Sequence, residues 1–187
     1  LKWTDITFPA TGLLATQNPS GTAGGKTHYI GFVLAYDSTD FEPYPSRGMV
    51  HELYFNWYAR WVLSDYIFTR STYTFKYYYP ISPNLILAHR TLFEFLEGDI
   101  PFYEMGGVGG SQPVIGIGGD RYFRGFDNNR FMDKIRLAMG LELRWEPFRF
   151  NFAKQDITFG FVPFFDIGRV WPTIVPFDFG DFHASLG

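Results

Sequence analysis

Between residues 135 and 145 every second side chain is large and apolar. Ile135, Leu137, Met139, Leu141, Leu143 and Trp145 alternate with Arg136, Ala138, Gly140, Glu142 and Arg144. A period of two puts these sets on opposite faces of a strand that sees two different environments. Residues 49–61 repeat the pattern: Met49, His51, Leu53, Phe55, Trp57, Ala59 and Trp61 oppose Val50, Glu52, Tyr54, Asn56, Tyr58 and Arg60. Further strands are predicted over residues 1–8, 28–37, 72–79, 85–96 and 157–168, and a last one starts near Phe182. Leu1, Lys2 and Trp3 already read as mid-strand. No helical period of useful length competes, so the chain reads as all-β, with seven strands and the start of an eighth.

Most of these segments have the roughly 9–11 residues that a tilted strand needs to cross a bilayer. A soluble β-sandwich also alternates, but it turns polar residues outward, whereas Phe and Trp recur here on one face of strand after strand. Aromatic residues make up 21% of the 187-residue chain, with 22 Phe and 12 Tyr, yet the mean hydropathy is only -0.09. A wall with lipid on one side and water on the other needs such a composition, because rings fill both the apolar band and its interfacial girdles. No apolar run is long enough for a transmembrane helix. The chain has no Cys, which removes disulfides and thiolate metal sites and suits an oxidising periplasm. Net charge is -3 with both signs interspersed, so no basic stripe points to nucleic acid. Pro80, Ser82, Pro83 and Asn84 mark a tight turn, while the connections over 10–26, 98–134 and 169–180 are long. Taking 98–134 as external puts residues 80–84 on the periplasmic side, an asymmetry that transmembrane barrels show.

The polar positions show little catalytic chemistry. His28, His51, His89 and His183 are scattered, with no metal-ligand spacing. His51-Glu52 lacks a second histidine, and adjacent strand residues face opposite ways. There is no Gly-x-Ser-x-Gly elbow and no Cys nucleophile. The glycines between Gly106 and Gly119 form no phosphate-binding fingerprint; Gly118 and Gly119 read as backbone angles that side chains forbid. Asp37 and Asp40 could be argued as an acid/base pair, but Asp and Ser at a strand end bond their own backbone. Glu142 shares its strand face with Arg136 and Arg144. Asp166 shares its face with Thr158, Gly160 and Gly168. Both carboxylates therefore point to the polar side on neighbouring strands, and Arg124 sits in the long loop, where its planar fork could bond both.

Four segments in consistent order carry a family resemblance. They are Tyr36-Asp37-Ser38-Thr39-Asp40 with Pro45-Ser46-Arg47-Gly48; Gly118-Gly119-Asp120-Arg121-Tyr122-Phe123-Arg124-Gly125-Phe126; Gly140-Leu141-Glu142-Leu143-Arg144; and Phe164-Phe165-Asp166-Ile167-Gly168-Arg169-Val170-Trp171. Together they resemble the BamA/TamA-type bacterial surface-antigen superfamily of outer-membrane assembly and translocation barrels. Phe123 departs from the smaller aliphatic residue that many members carry before the arginine. The resemblance covers nearly the whole chain and implies a transmembrane antiparallel β-barrel over 1–187, a section of seven to eight strands from a sixteen-stranded barrel preceded by periplasmic repeats.

It also implies that loop 98–134 folds into the lumen and that Arg124, followed by Gly125 and Phe126, bonds Glu142 and Asp166 as a structural latch. The implied function is insertion of β-barrel proteins into the outer membrane, or polypeptide transport across it, without enzyme chemistry, metal or cofactor. The implied partners are outer-membrane lipids, client β-barrel or secreted polypeptides, and accessory assembly lipoproteins. A passive anchor barrel fused to a soluble enzyme and a porin-like channel are the competing readings.

Overall fold

A computed structural model describes residues 2–7, 11–110, 114–173 and 180–187. Its strands are β1 (Lys2–Thr4), β2 (Gly25–Thr27), β3 (Tyr29–Asp37), β4 (Gly48–Tyr58), β5 (Phe68–Ser82), β6 (Leu85–Gly98), β7 (Gly107–Val108), β8 (Val114–Ile115), β9 (Ile135–Phe152), β10 (Gln155–Phe161), β11 (Phe164–Trp171) and β12 (His183–Leu186). Eight of them build one sheet in the order β12-β11-β9-β6-β5-β4-β3, with β10 also paired to β9 and every pairing antiparallel. This wall is open, with β3 and β12 at its edges. Short turns at Pro83-Asn84 and Ala153-Lys154 lie at one end. Ala153 (φ 53°) and Lys154 (φ 64°) both take the positive φ favoured where a two-residue hairpin must follow the twist of its strands. The long connections gather at the other end.

The two faces differ as the alternation demands. Leu53, Trp57, Phe93, Leu141, Leu143 and Trp145 remain exposed on a free face. The opposite face carries Arg70, Thr72, Thr74, Leu92, Glu94, Arg136, Ala138 and Asp166, all buried. What buries them is the connection between β6 and β9. Val108, Ile117 and Phe123 from this loop pack with Leu92 and Ala138 of the wall, and Tyr122, Phe126, Phe131 and Val170 surround them. A second cluster, Tyr58, Phe68, Leu96 and Ile100, seals the end nearest the long connections.

Several predicted strands differ in extent: the one over 49–61 ends at Tyr58, with Arg60–Val62 in a single 3-10 turn, and the one over 135–145 runs on to Phe152. The segment predicted as residues 1–8 contributes only β1, which pairs with β2 away from the wall. Its partner is short because the chain turns at Gly24 (φ +71°), where any Cβ would collide with the Thr4 carbonyl. Phe8 lies outside the described residues. The strand predicted over 72–79 extends to both sides, as Phe68–Ser82. The strand predicted over 157–168 is divided into β10 and β11 at Val162-Pro163, where proline offers no N–H. Phe159 pairs with Phe148 and Phe161 with Trp145, so one extra residue is inserted at Glu146-Pro147 of β9. Such a bulge reverses the odd–even parity. It keeps Phe148 and Phe150 on the same face as Trp145, and all three are exposed.

Candidate functional site

Asp166 of β11 lies opposite Gly140 of β9, and Phe164 opposite Glu142. Facing residues of an antiparallel pair share a side, so both carboxylates emerge on the loop face, on adjacent strands. Gly140 is what makes room for them: a Cβ there would lie 2.6 Å from Asp166 Oδ1 and 2.7 Å from Arg90 Nε. Asp166 is fully buried.

The loop delivers Arg124 to this pair. Gly118 (φ +129°) and Gly119 (φ +75°) open a single helical turn, Gly119–Tyr122. Added Cβ atoms would sit 2.0 Å from the Asp127 carbonyl and 1.9 Å from Asn128 Oδ1. The backbone closes on itself here, since the Gly119 N–H donates to the Phe126 carbonyl at 2.8 Å. Phe123 points into the apolar cluster without exposure to solvent, and Gly125 takes φ +88°. Arg124, between them, is aimed at the wall. Its Nε donates to Asp166 Oδ2 and its Nη2 to Asp166 Oδ1, both at 2.8 Å, while its backbone N–H donates to Oδ2 at 3.0 Å. Its Nη1 reaches Glu142 Oε1 at 2.7 Å. The guanidinium also lies over the Phe164 ring, 3.7 Å from the centroid. Arg144 Nε donates to Glu142 at 3.1 Å, and Arg90 Nη2 approaches Asp166 at 3.4 Å. Phe126 packs against Phe123, Phe131 and His183. The structure therefore brings Arg124, Glu142 and Asp166 together, with Gly118, Gly119, Gly125 and Phe126 shaping the approach.

Sequence reasoning missed a second charged cluster nearer the long-connection end. Arg136 Nη1 lies 3.4 Å from Glu94 Oε2 and donates to the Gly107 carbonyl at 2.9 Å. Glu94 Oε1 accepts from the Gly109 N–H at 2.7 Å and from the Thr72 hydroxyl at 3.0 Å. Buried Glu104 accepts from Arg70 Nη2 at 3.2 Å, Thr27 Oγ1 at 3.0 Å and Lys2 Nζ at 2.7 Å. One loop carboxylate thus ties β1, the entry to β3 and the wall together. The signal was charge at polar-face positions of strands: Glu94 pairs with Arg136 across β6 and β9, and Arg70 lies two residues from Thr72, the partner of Glu94 on β5.

The remaining polar residues go elsewhere. His51 and His89 sit on the free face, bonded at 2.8 Å to Tyr73 Oη and Thr91 Oγ1. His183 stacks on Phe131. Among the described residues no group of His, Asp or Glu could hold a metal ion. Asp37 accepts from the Thr39 amide and hydroxyl, and Asp40 from the Ser46 amide, so both serve the turn between β3 and β4.

An antiparallel wall with an apolar free face and a polar face filled by its own loop defines a section of a transmembrane β-barrel. Sequence comparison gives the family. The chain belongs to the Omp85 superfamily, whose domain profile matches residues 9–185. It is 26% identical over 151 residues to "Outer membrane protein assembly factor BamA" of Nitratidesulfovibrio vulgaris (strain Hildenborough), covering 78% of this chain and 18% of that protein. Its fold is similar to the crystal structure of BamA from Haemophilus ducreyi lacking POTRA domains 1-3, with a TM-score of 0.60, 18% identity, and 84% of this chain and 34% of that chain covered. The chain thus spans under a fifth of the length of its curated relative, and it is part of an integral outer-membrane barrel.

Proposed function

We propose that this section belongs to a barrel that inserts β-barrel proteins into the outer membrane or passes polypeptides across it. In this reading the free face meets lipid and the loop face lines the lumen. The long connections lie outside the cell, and loop 98–134 is latched inside. The observation that carries the reading is the Arg124 fork on Asp166 and Glu142. It costs the chain two desolvated carboxylates and a desolvated guanidinium, and it fixes a loop where an open channel would need none. The open edges at β3 and β12 are paired by further strands, because unpaired backbone in hydrocarbon costs several kcal/mol per group.

The proposed partners are outer-membrane lipids, client polypeptides and accessory lipoproteins. No nucleotide, cofactor or enzyme step enters: client strands pair at a weak seam or thinned bilayer, and their own hydrogen bonding drives insertion. Depletion of the full-length protein tests this. Unrelated barrels should lose their folded, heat-modifiable form in the membrane fraction. Normal assembly of those barrels during depletion overturns the proposal.

A further inference from the structure

Beyond the last ladder pair of β3 and β4, Tyr29 with Tyr58, the two strands continue into connections that border an open cleft of about 560 Å³. Lys26, His28, Arg60, Leu63, Ser64 and Asp65 line it. Its charge is unbalanced. Two permanent cations face one carboxylate, and that carboxylate already accepts the Lys26 backbone N–H at 2.7 Å. The Arg60 guanidinium has no ion pair or hydrogen bond among the described residues, and it sits on an exposed single turn, Arg60–Val62. The Nε2 of His28 is shielded from solvent and has no hydrogen-bond partner. Lys26 Nζ lies 5.4 Å from the centroid of the Trp3 ring, an exposed contact that leaves its donors available.

The surroundings say which anion fits. On the free face, one position before the last ladder pair, Trp57 pairs with Ile30 and meets Trp61, next to Arg60 in the chain, edge-on at 5.5 Å. Trp57, Trp61, Leu63 and Ile67 are all exposed. Tryptophan gathers where hydrocarbon gives way to headgroups, so the cleft stands at headgroup height with apolar surface beside it. Basic pockets at that level bind anionic headgroups.

We propose that the cleft between Lys26, His28 and Arg60 holds a phosphate group carried by a lipid of the outer leaflet, whose acyl chains lie against Trp57 and Trp61. The assignment to that leaflet rests on the membrane orientation proposed above. Lys26 and Arg60 supply charged donors, His28 lines the site beside them, and Asp65 orients the Lys26 segment through its amide.

The test uses the full-length protein in vesicles containing either a bis-phosphorylated glycolipid or its dephosphorylated counterpart, released gently and weighed by native mass spectrometry. The phosphorylated lipid should stay bound to the unaltered protein. Retention should fall about tenfold for each charged contact removed in Lys26→Gln and Arg60→Gln. The dephosphorylated lipid should not be retained. Equal retention by the double variant, or of the dephosphorylated lipid, overturns the proposal. Displacement by millimolar inorganic phosphate overturns the lipid assignment in favour of the free anion. Leu13→Cys, at a position 77% exposed among the long connections, reports orientation separately through an impermeant maleimide on intact cells. Labelling from outside together with failed lipid retention sinks the pocket alone, and absent labelling sinks the orientation.

Discussion

Replacing Arg124 with alanine should release the loop while leaving the wall formed. The substitution keeps the backbone N–H bond to Asp166 and removes three side-chain bonds, two to Asp166 at 2.8 Å and one to Glu142 at 2.7 Å. Removing one partner of a buried ion pair costs about 3–5 kcal/mol, mostly from the orphaned charge. Two features hold the loss to the lower end. The Arg124 and Glu142 side chains are 19% and 16% exposed, and Arg90 and Arg144 remain beside the two carboxylates. About 3 kcal/mol corresponds to a rise of roughly a hundredfold in the open population of the loop. Hydrogen exchange of the full-length protein in micelles reads this at the Gly119 and Phe131 amides, which bond to the Phe126 and Ile117 carbonyls within the loop. Amides of β5 and β6 should exchange unchanged. Adding Asp166→Asn to Arg124→Ala should cost less than the sum of the single effects, because the stranded charge is gone. Exchange at Gly119 and Phe131 at the unaltered rate in Arg124→Ala would refute the latch.

The other expectations follow from the same contacts. Gly140→Ala places a methyl against Asp166 and Arg90. It should cost about 1–3 kcal/mol by overpacking and speed exchange at the same loop amides. Glu104→Gln removes the charge that meets Arg70 and Lys2; with Lys2 57% exposed, the loss comes mainly from Arg70, about 2 kcal/mol, seen as faster exchange over residues 2–4 and 102–108. The Ser46 hydroxyl first, and then the Ser46 amide, lowers the Asp40 carboxyl from 3.8 to about 2. Since the folded form is the more acidic, its contribution to the β3–β4 turn is complete above the ordinary carboxylate value and is lost as pH falls through about 2. An NMR titration should show that midpoint, and Ser46→Ala should move it back toward 3.8.

What the sequence reveals of this molecule is set by the range of the interactions. Strict alternation in β4 and β9 displays the two faces because every second residue meets the same environment. Arg124, Glu142 and Asp166 could be placed on one side by parity and by the family pattern around them. The parity rule fails at Glu146-Pro147, where one extra residue re-aims Phe148 and Phe150, and no alternation within a single strand reveals which partner residue the bulge will face. The Glu104 cluster escaped for a related reason. Its members come from residues 2, 27, 70 and 104, so nothing within one segment marks them as neighbours. Residues 1–8 alternate well enough to read as a strand, but a strand needs a partner, and the turn at Gly24 leaves one only three residues long.

Apolar packing and charge do different work in holding the loop. Phe123, Ile117 and Val108 against Leu92 and Ala138 remove hydrocarbon from water, roughly 1.5–3 kcal/mol for each large side chain. Such contacts are non-directional and would tolerate a loop shifted by a residue. The Arg124 fork is directional, with Nε and Nη2 side by side on the two oxygens of Asp166 while the backbone N–H also donates to Oδ2, so a shifted loop would lose this set of bonds. A buried ion pair contributes little to net stability once desolvation is subtracted, so its value here lies in choosing one position among several greasy ones. At the other end of the loop, Glu94 and Arg136 grip backbone atoms, the Gly109 N–H and the Gly107 carbonyl. With a side chain fixed at one end and backbone held at the other, the loop has one register on the wall, and the apolar cluster between them fills it.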